Sequence, residues 1–325
     1  MAGESGNAEA ATTALLYDEF YLRHLTGAGH PESPQRLEAI MRRLAADGLL
    51  ERMKRIEPLA PRIEWVQAVH ADSYIETVRQ ESASGRSELS TGDTAICKES
   101  YEVALRAVGG VVAAADAVAA GRARNAFCAV RPPGHHATPD RGMGFCVFNN
   151  AAIAARYVQR HCGAGKVLIA DWDIHHGNGT QDAFYEDGSV FYFSTHLFGL
   201  YPMPLTGKGY ADETGAGEGA GANLNVPLRA GIGDEEIIAV FTERLVPAAR
   251  RFKPELAVIS AGFDSRVGDP LGLFSVTDAG FARLTEIVMG LVPAGRVLSV
   301  LEGGYHPEGL PLAVAAHVKA LMGAE

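Results

Sequence analysis

Short apolar runs alternate along this chain with longer stretches of helical spacing. The runs at 126–131, 166–171 (KVLIAD), 190–194 (VFYFS), 256–261 (LAVISA) and 296–301 (RVLSVL) are too short for buried helices. They are rich in Val, Ile, Leu and Phe, so they predict buried strands. The stretch 149–159 has the alanine content and apolar spacing of a helix, and 234–251 and 277–291 read the same way. A long loop is expected from the first strand to about Met143. Such alternation defines an α/β class, a parallel sheet with helices on both faces and right-handed crossovers. No internal repeat or long linker interrupts it.

Polar residues gather where the predicted strands run out. Asp171-Trp172-Asp173-Ile174-His175-His176 follows one strand, and Ala261-Gly262-Phe263-Asp264 closes another. Gly303-Gly304-Tyr305 follows a third, and Pro132-Pro133-Gly134-His135-His136 a fourth. Ligand sites in open α/β sheets lie at the carboxyl ends of strands. Four such ends would converge on one crevice, so the chain is expected to be a single domain.

Asp171, Asp173 and His175 are two apart, and extended backbone points such side chains the same way. Asp264 can approach from a neighbouring strand end. Zinc accepts imidazole nitrogen and carboxylate oxygen together, and three protein ligands plus water is a catalytic count. Acids after strands often cap turns instead. The full set, with two His-His pairs and glycines at each turn, outweighs that reading. Metal, base and a phenol donor are the parts of a metal-assisted hydrolase.

Composition narrows the partners. At 47% hydrophobic and 21% charged, the 325 residues are those of an ordinary globular protein. The formal charge of −10 argues against direct nucleic-acid binding and suits a cationic partner such as a lysine-rich peptide or a polyamine. Four cysteines show no CxxC spacing; Cys128 and Cys146 lie among apolar residues and read as buried free thiols of a reducing compartment. Residues 1–13 lack a basic start and an apolar stretch, so a frayed tail and a cytoplasmic enzyme are expected. No run approaches the length of a membrane span. The glycine-dense 214–223 lacks a phosphate-loop lysine and reads as a flexible loop. Ser260 is in no GxSxG elbow.

RPPGHHA (131–137), GFCVFNN (144–150), DWDIHHGNGTQ (171–181), SAGFD (260–264), DPLG (269–272) and EGGY (302–305), with HPESPQR (30–36) ahead of them, form an ordered series. It resembles the signature series of the zinc-dependent histone deacetylase and acetylpolyamine amidohydrolase superfamily, in its class II-like, prokaryotic-type form. The resemblance runs from about Leu15 to Leu321. It implies the arginase–deacetylase fold, one catalytic domain over 14–325 around an eight-stranded parallel sheet.

The resemblance also implies roles. Asp173, His175 and Asp264 would bind one catalytic zinc. His136 would be the general base, with His135 an electrostatic partner oriented by Asp171. Tyr305 would donate to the developing oxyanion. Asn178 would face His136, where some members carry Asp and others Asn. Phe145 and Tyr201 would wall a narrow channel, Gly144 would let it close in, and Gly303 would let backbone approach the substrate. Asp93 would be a rim acid. Leu271 stands where polyamine-specific members place an acidic gatekeeper, which favours acyl-lysine over polyamine. A structural potassium would use Asp171, Ser194 and carbonyls of Asp173, His175 and Thr195, with a second monovalent site near Phe184, Asp187 and Val190. His176 reads as a structural histidine, and His161, His196 and His306 as loop or edge residues. The activity implied is removal of acetyl or other acyl groups from lysine, with an acylated polyamine or other amine as the alternative. A silent acyl-lysine binder and a two-manganese ureohydrolase fit less well: every catalytic position is filled, and Tyr305 has no task in the second. The native metal, zinc or iron(II), the acyl length and a homo-oligomeric state stay open.

Overall fold

The computed structural model describes residues 12–323. Eight strands form one sheet: β1 (Thr13–Leu16), β2 (Lys54–Ile56), β3 (Asn125–Cys128), β4 (Val167–Asp171), β5 (Val190–Leu197), β6 (Asn223–Leu228), β7 (Leu256–Ala261) and β8 (Val297–Leu301). Their order is β2-β1-β3-β8-β7-β4-β5-β6, and every neighbouring pair is parallel. This is the eight-stranded α/β sheet that the resemblance implies. The tail expected over 1–13 falls outside the described residues up to 11, and Thr13 already belongs to β1.

All residues of β4, β7 and β8 are buried, as apolar runs covered on both faces must be. The crossover from β3 to β4 passes over β8 and β7 through the helix Asn150–Cys162. Asn149 starts that helix by accepting the Ala152 N–H at 3.0 Å, and Gly163 ends it at φ 75°. It packs against Ser100–Ala119. The return from β7 to β8 runs the opposite way through Asp278–Met289, which packs on Gly309–Met322. Right-handed crossovers in opposite directions place these helix pairs on opposite faces.

Two of the expected elements need correction. The helix read over 234–251 is interrupted: Asp234–Val240 gives way to a π-helical turn, Phe241–Leu245, before Val246–Phe252. Pro247 has no N–H for the ladder, and its ring crowds the carbonyl four residues back, so the turn widens. The loop read over 214–223 ends one residue early, because Asn223 opens the edge strand β6. The cysteines are free, with Cys128 and Cys146 buried. Among the described residues, no helix is long and apolar enough to cross a membrane.

A buried ion network fixes the loops above the sheet. Arg131, fully buried, donates through Nη2 to Glu32 Oε2 at 2.7 Å. Arg36 Nη1 reaches Glu32 Oε1 at 3.2 Å, while its Nε and Nη2 donate to the Gly304 and Glu302 carbonyls at 2.7 and 2.6 Å. Burial opposes its charge, yet the Arg131 guanidinium holds the Glu32 carboxyl down to about 2. The network joins residues from 30–36, 131 and 302–304, three segments that share the site.

Candidate active site

β3, β8, β7 and β4 are adjacent in the sheet. Their carboxyl ends deliver His135 and His136, Tyr305, Asp264, and Asp173 with His175. His175 Nδ1 lies 3.0 Å from Asp173 Oδ1 and 3.1 Å from Asp264 Oδ2. The other oxygen of each carboxylate is tied down: Asp173 Oδ2 accepts the Gly303 N–H and Asp264 Oδ1 the Ile174 N–H, both at 2.9 Å. The three donor atoms lie within 4.8 Å of one another. A side chain at position 303 would meet Asp264 Oδ2 at 2.2 Å and Asp173 Oδ2 at 2.6 Å. Gly303 therefore sits beneath the carboxylates and is not on the channel wall, which differs from its expected substrate-facing place.

These residues fit a divalent cation. Burial, then the charge of Asp173, pushes the Asp264 carboxyl up to about 7. Asp173 stays ionised despite burial, because His135 and His175 outweigh it. Burial also opposes charge on His175, but the two carboxylates hold it up to about 10. Two carboxylates crowded around one imidazole need positive charge at their centre, and the O/O/N set is one that zinc accepts.

The tandem histidines diverge in character. His135 Nδ1 donates to Asp171 Oδ2 at 3.0 Å, and Asp171 also accepts from the Tyr192 hydroxyl at 3.0 Å. Burial opposes its charge, but Asp173 and Asp171 hold His135 up to about 10. His136 goes well below the ordinary imidazole value through burial and the positive charge of His135 and His175. Its Nδ1 donates to Asn178 Oδ1 at 2.9 Å, and the Asn178 amide donates back to the His136 carbonyl at 3.3 Å. That tautomer leaves His136 Nε2 able to take a proton.

A channel of about 270 Å³ leads to these groups. Asp93, Gly144, Phe145, Tyr201, Leu271 and Tyr305 line it, together with His136, His175 and Leu200. Tyr201 sets its ring edge-to-face to His136 at 5.2 Å and donates to Asp93 Oδ1 at 3.1 Å. Asp93 Oδ1 also accepts the Gly144 N–H at 2.7 Å. Gly144 has φ +57°, and a Cβ there would meet His136 Cδ2 at 2.2 Å, so only glycine lets the loop cross this histidine. Burial pushes the Tyr305 phenol well above its ordinary value, which keeps its proton available for donation.

Of the residues expected around a potassium ion, Asp171 pairs with Ser194 in the β4–β5 register and Thr195 follows. His196 Nε2 is 2.8 Å from the Gly209 carbonyl, so Nε2 carries the proton and Nδ1 accepts from Ser194 at 2.9 Å. His196 is buried in β5 rather than at a loop or edge. Near the second monovalent position, the Phe184 carbonyl accepts the Asp187 N–H at 3.0 Å and the Asp187 carbonyl the Val190 N–H at 3.5 Å. His176 Nε2 contacts Gln181 Oε1 at 3.0 Å and is buried, a structural histidine.

Three supporting residues were not read from the sequence. Glu302 is fully buried and accepts the Gly134 and His135 N–H groups at 2.7 and 3.1 Å. Asp269 accepts from Tyr305 N–H at 2.6 Å, His306 N–H at 3.1 Å and Leu271 N–H at 2.9 Å. Tyr192 steadies Asp171. Glu302 and Asp269 stand inside the EGGY and DPLG segments, where an acid beside glycines was the available signal.

A parallel sheet that presents two carboxylates and an imidazole beside a paired histidine and a phenol brings together the groups that metal-assisted hydrolysis uses. The histone deacetylase domain matches residues 30–321 of the chain. A probable deacetylase of Archaeoglobus fulgidus is 38% identical over 96% of this chain and 86% of its own length. Human polyamine deacetylase HDAC10 is 40% identical over 90% of this chain, but the match spans only 44% of that protein. The crystal structure of the HDA15 HD domain superposes with a TM-score of 0.91 at 40% identity, covering 96% of this chain and 90% of that one. The chain belongs to the histone deacetylase family and is a deacetylase-type hydrolase.

Proposed function

We propose that this protein removes acetyl or related acyl groups from lysine side chains. The observation that carries the reading is the meeting of the Asp173, His175 and Asp264 donors with a narrow channel that ends on His136 and Tyr305. A zinc ion held by those three donors would acidify a water and polarise the amide carbonyl. His136 Nε2 takes the proton of the attacking water and later returns it to the leaving amine. His135, charged and held by Asp171, offsets the negative charge that builds beside it. The Tyr305 hydroxyl donates to the oxyanion. Phe145, Tyr201 and Leu271 exclude water from the aliphatic stem, and Gly144 and Asp93 hold that wall in place.

The apolar Leu271 supports a lysine stem over a polyamine, whose second ammonium it cannot pair. An acylated polyamine is the second reading, because HDAC10 carries that name and matches over 90% of this chain. A potassium ion is assigned to Asp171, Ser194 and the carbonyls of Asp173, His175 and Thr195, since hard oxygens suit it. Asp264→Asn tests the metal assignment: bound zinc and turnover of an acetyl-lysine peptide should fall together. Full zinc content with full turnover in that variant would overturn it.

A further inference from the structure

Beside the channel lies a second, more open depression of about 630 Å³. Phe198, Leu200, Pro227, Leu228 and Leu273 line it, and among the described residues Arg229 is the one charged side chain on its wall. Leu200 lines both cavities, and Leu271 of the channel is two residues from Leu273 of the depression, so the two adjoin. Phe198 is 59% exposed and Leu273 60% exposed. Large apolar side chains clustered in water mark binding surfaces more often than accidents. Their backbone is held in place: Phe198 N–H donates to the Leu228 carbonyl at the end of β6 at 2.8 Å, and Gly231 N–H donates to the Leu273 carbonyl at 2.7 Å.

We infer that this shelf is a subsite for an apolar side chain flanking the acylated lysine of an extended peptide substrate. The inference rests on the acyl-lysine reading above and adds what the substrate carries beside its lysine. Adjacency to the channel selects the occupant. A lysine stem filling the channel leaves its own backbone at the mouth, next to Leu200. Extended chain advances about 3.3–3.6 Å per residue, so a near neighbour in sequence reaches the shelf. A small acylated amine has no atoms to place there. The wall favours Leu, Phe or Met, and Arg229 disfavours a basic side chain.

The test uses zinc-loaded protein, N-acetyl-lysine amide as the minimal substrate, and acetyl-lysine peptides with Leu, Ser or Lys scanned through the flanking positions. At one position the Leu peptide should exceed the Ser peptide by about tenfold in kcat/KM, the order expected for burying part of one such side chain. Leu273→Ser and Phe198→Ser should each shrink that ratio towards one after normalisation to the minimal substrate. Turnover of the minimal substrate with no Leu preference overturns the subsite and leaves the deacylase reading standing. So does a preference that survives both substitutions. A dimer in solution that Leu273→Ser dissociates would reassign the shelf to a second copy of the chain. Failure of every acetyl-lysine substrate, the minimal one included, would remove the subsite together with the reading beneath it.

Discussion

Replacing Asn178 by Asp puts a carboxylate where the amide oxygen now accepts from His136 Nδ1 at 2.9 Å. Unit charges about 4 Å apart attract by about 4 kcal/mol at an effective dielectric constant of about 20. Part of that is lost, because position 178 is 1% exposed and the new carboxylate is stripped of water. The amide's donations to the His136 carbonyl at 3.3 Å and to Met143 Sδ at 3.5 Å are lost as well. The net effect should raise the His136 imidazole, moving the acid limb of kcat/KM upward by about 1–2 pH units. The sign follows from the role: His136 works as a base only when neutral, so a higher pKa demands a higher pH for activity. Burial and the charges of His135 and His175 now hold it well below the ordinary imidazole value. The assay is kcat/KM for an acetyl-lysine peptide from acid to mildly alkaline pH, with zinc held constant and folding checked by melting. An acid limb that stays in place or moves downward in a folded variant refutes the assignment of His136 as base.

Other outcomes follow from the same geometry. Tyr305→Phe should lower kcat by about 10²–10³ with little change in KM, the cost of one oxyanion donor; steady-state kinetics with equal kcat would dismiss that role. Glu32→Ala leaves Arg131 buried without its partner and should cost about 3–5 kcal/mol in denaturant unfolding at neutral pH. The wild-type contribution is fully present above the ordinary glutamate value of 4.5 and is lost as pH falls towards about 2, so the gap between the two proteins should close on acidification. Leu271→Glu should shift the ratio of acetylpolyamine to peptide turnover by about tenfold towards polyamine, as one new ion pair at the mouth allows; an unmoved ratio would show that Leu271 does not select the substrate.

Much of this layout was legible in the residues themselves. The runs ending in Asp171, Ala261 and Leu301 are buried strands with their chemistry at the exits, as parallel sheets require. β1 and β2 escaped notice because four and three residues carry too little period to read. β6 hides behind glycines and contains Pro227, which an edge strand tolerates. The π-helical turn could not be foreseen from apolar spacing, which is nearly the same on either side of Pro247. The meeting of Asp173 and His175 with Asp264 was legible, because two-residue spacing in extended backbone points side chains one way. The supports did not. Arg131 closes the run 126–131, and nothing in that run marks it as fully buried or as joining distant segments. Glu302 and Asp269 act through backbone N–H groups, and no side-chain pattern announces an acceptor for amides. Gly303 signals a close approach of backbone without naming what approaches.

The most direct test of the account compares kcat/KM for an acetyl-lysine peptide and an acetylated polyamine, side by side, on metal-loaded protein and after chelation. The expected result is a clear preference for the peptide and loss of both activities on chelation, restored by zinc. Turnover that survives complete removal of metal, or a marked preference for the polyamine, would contradict it.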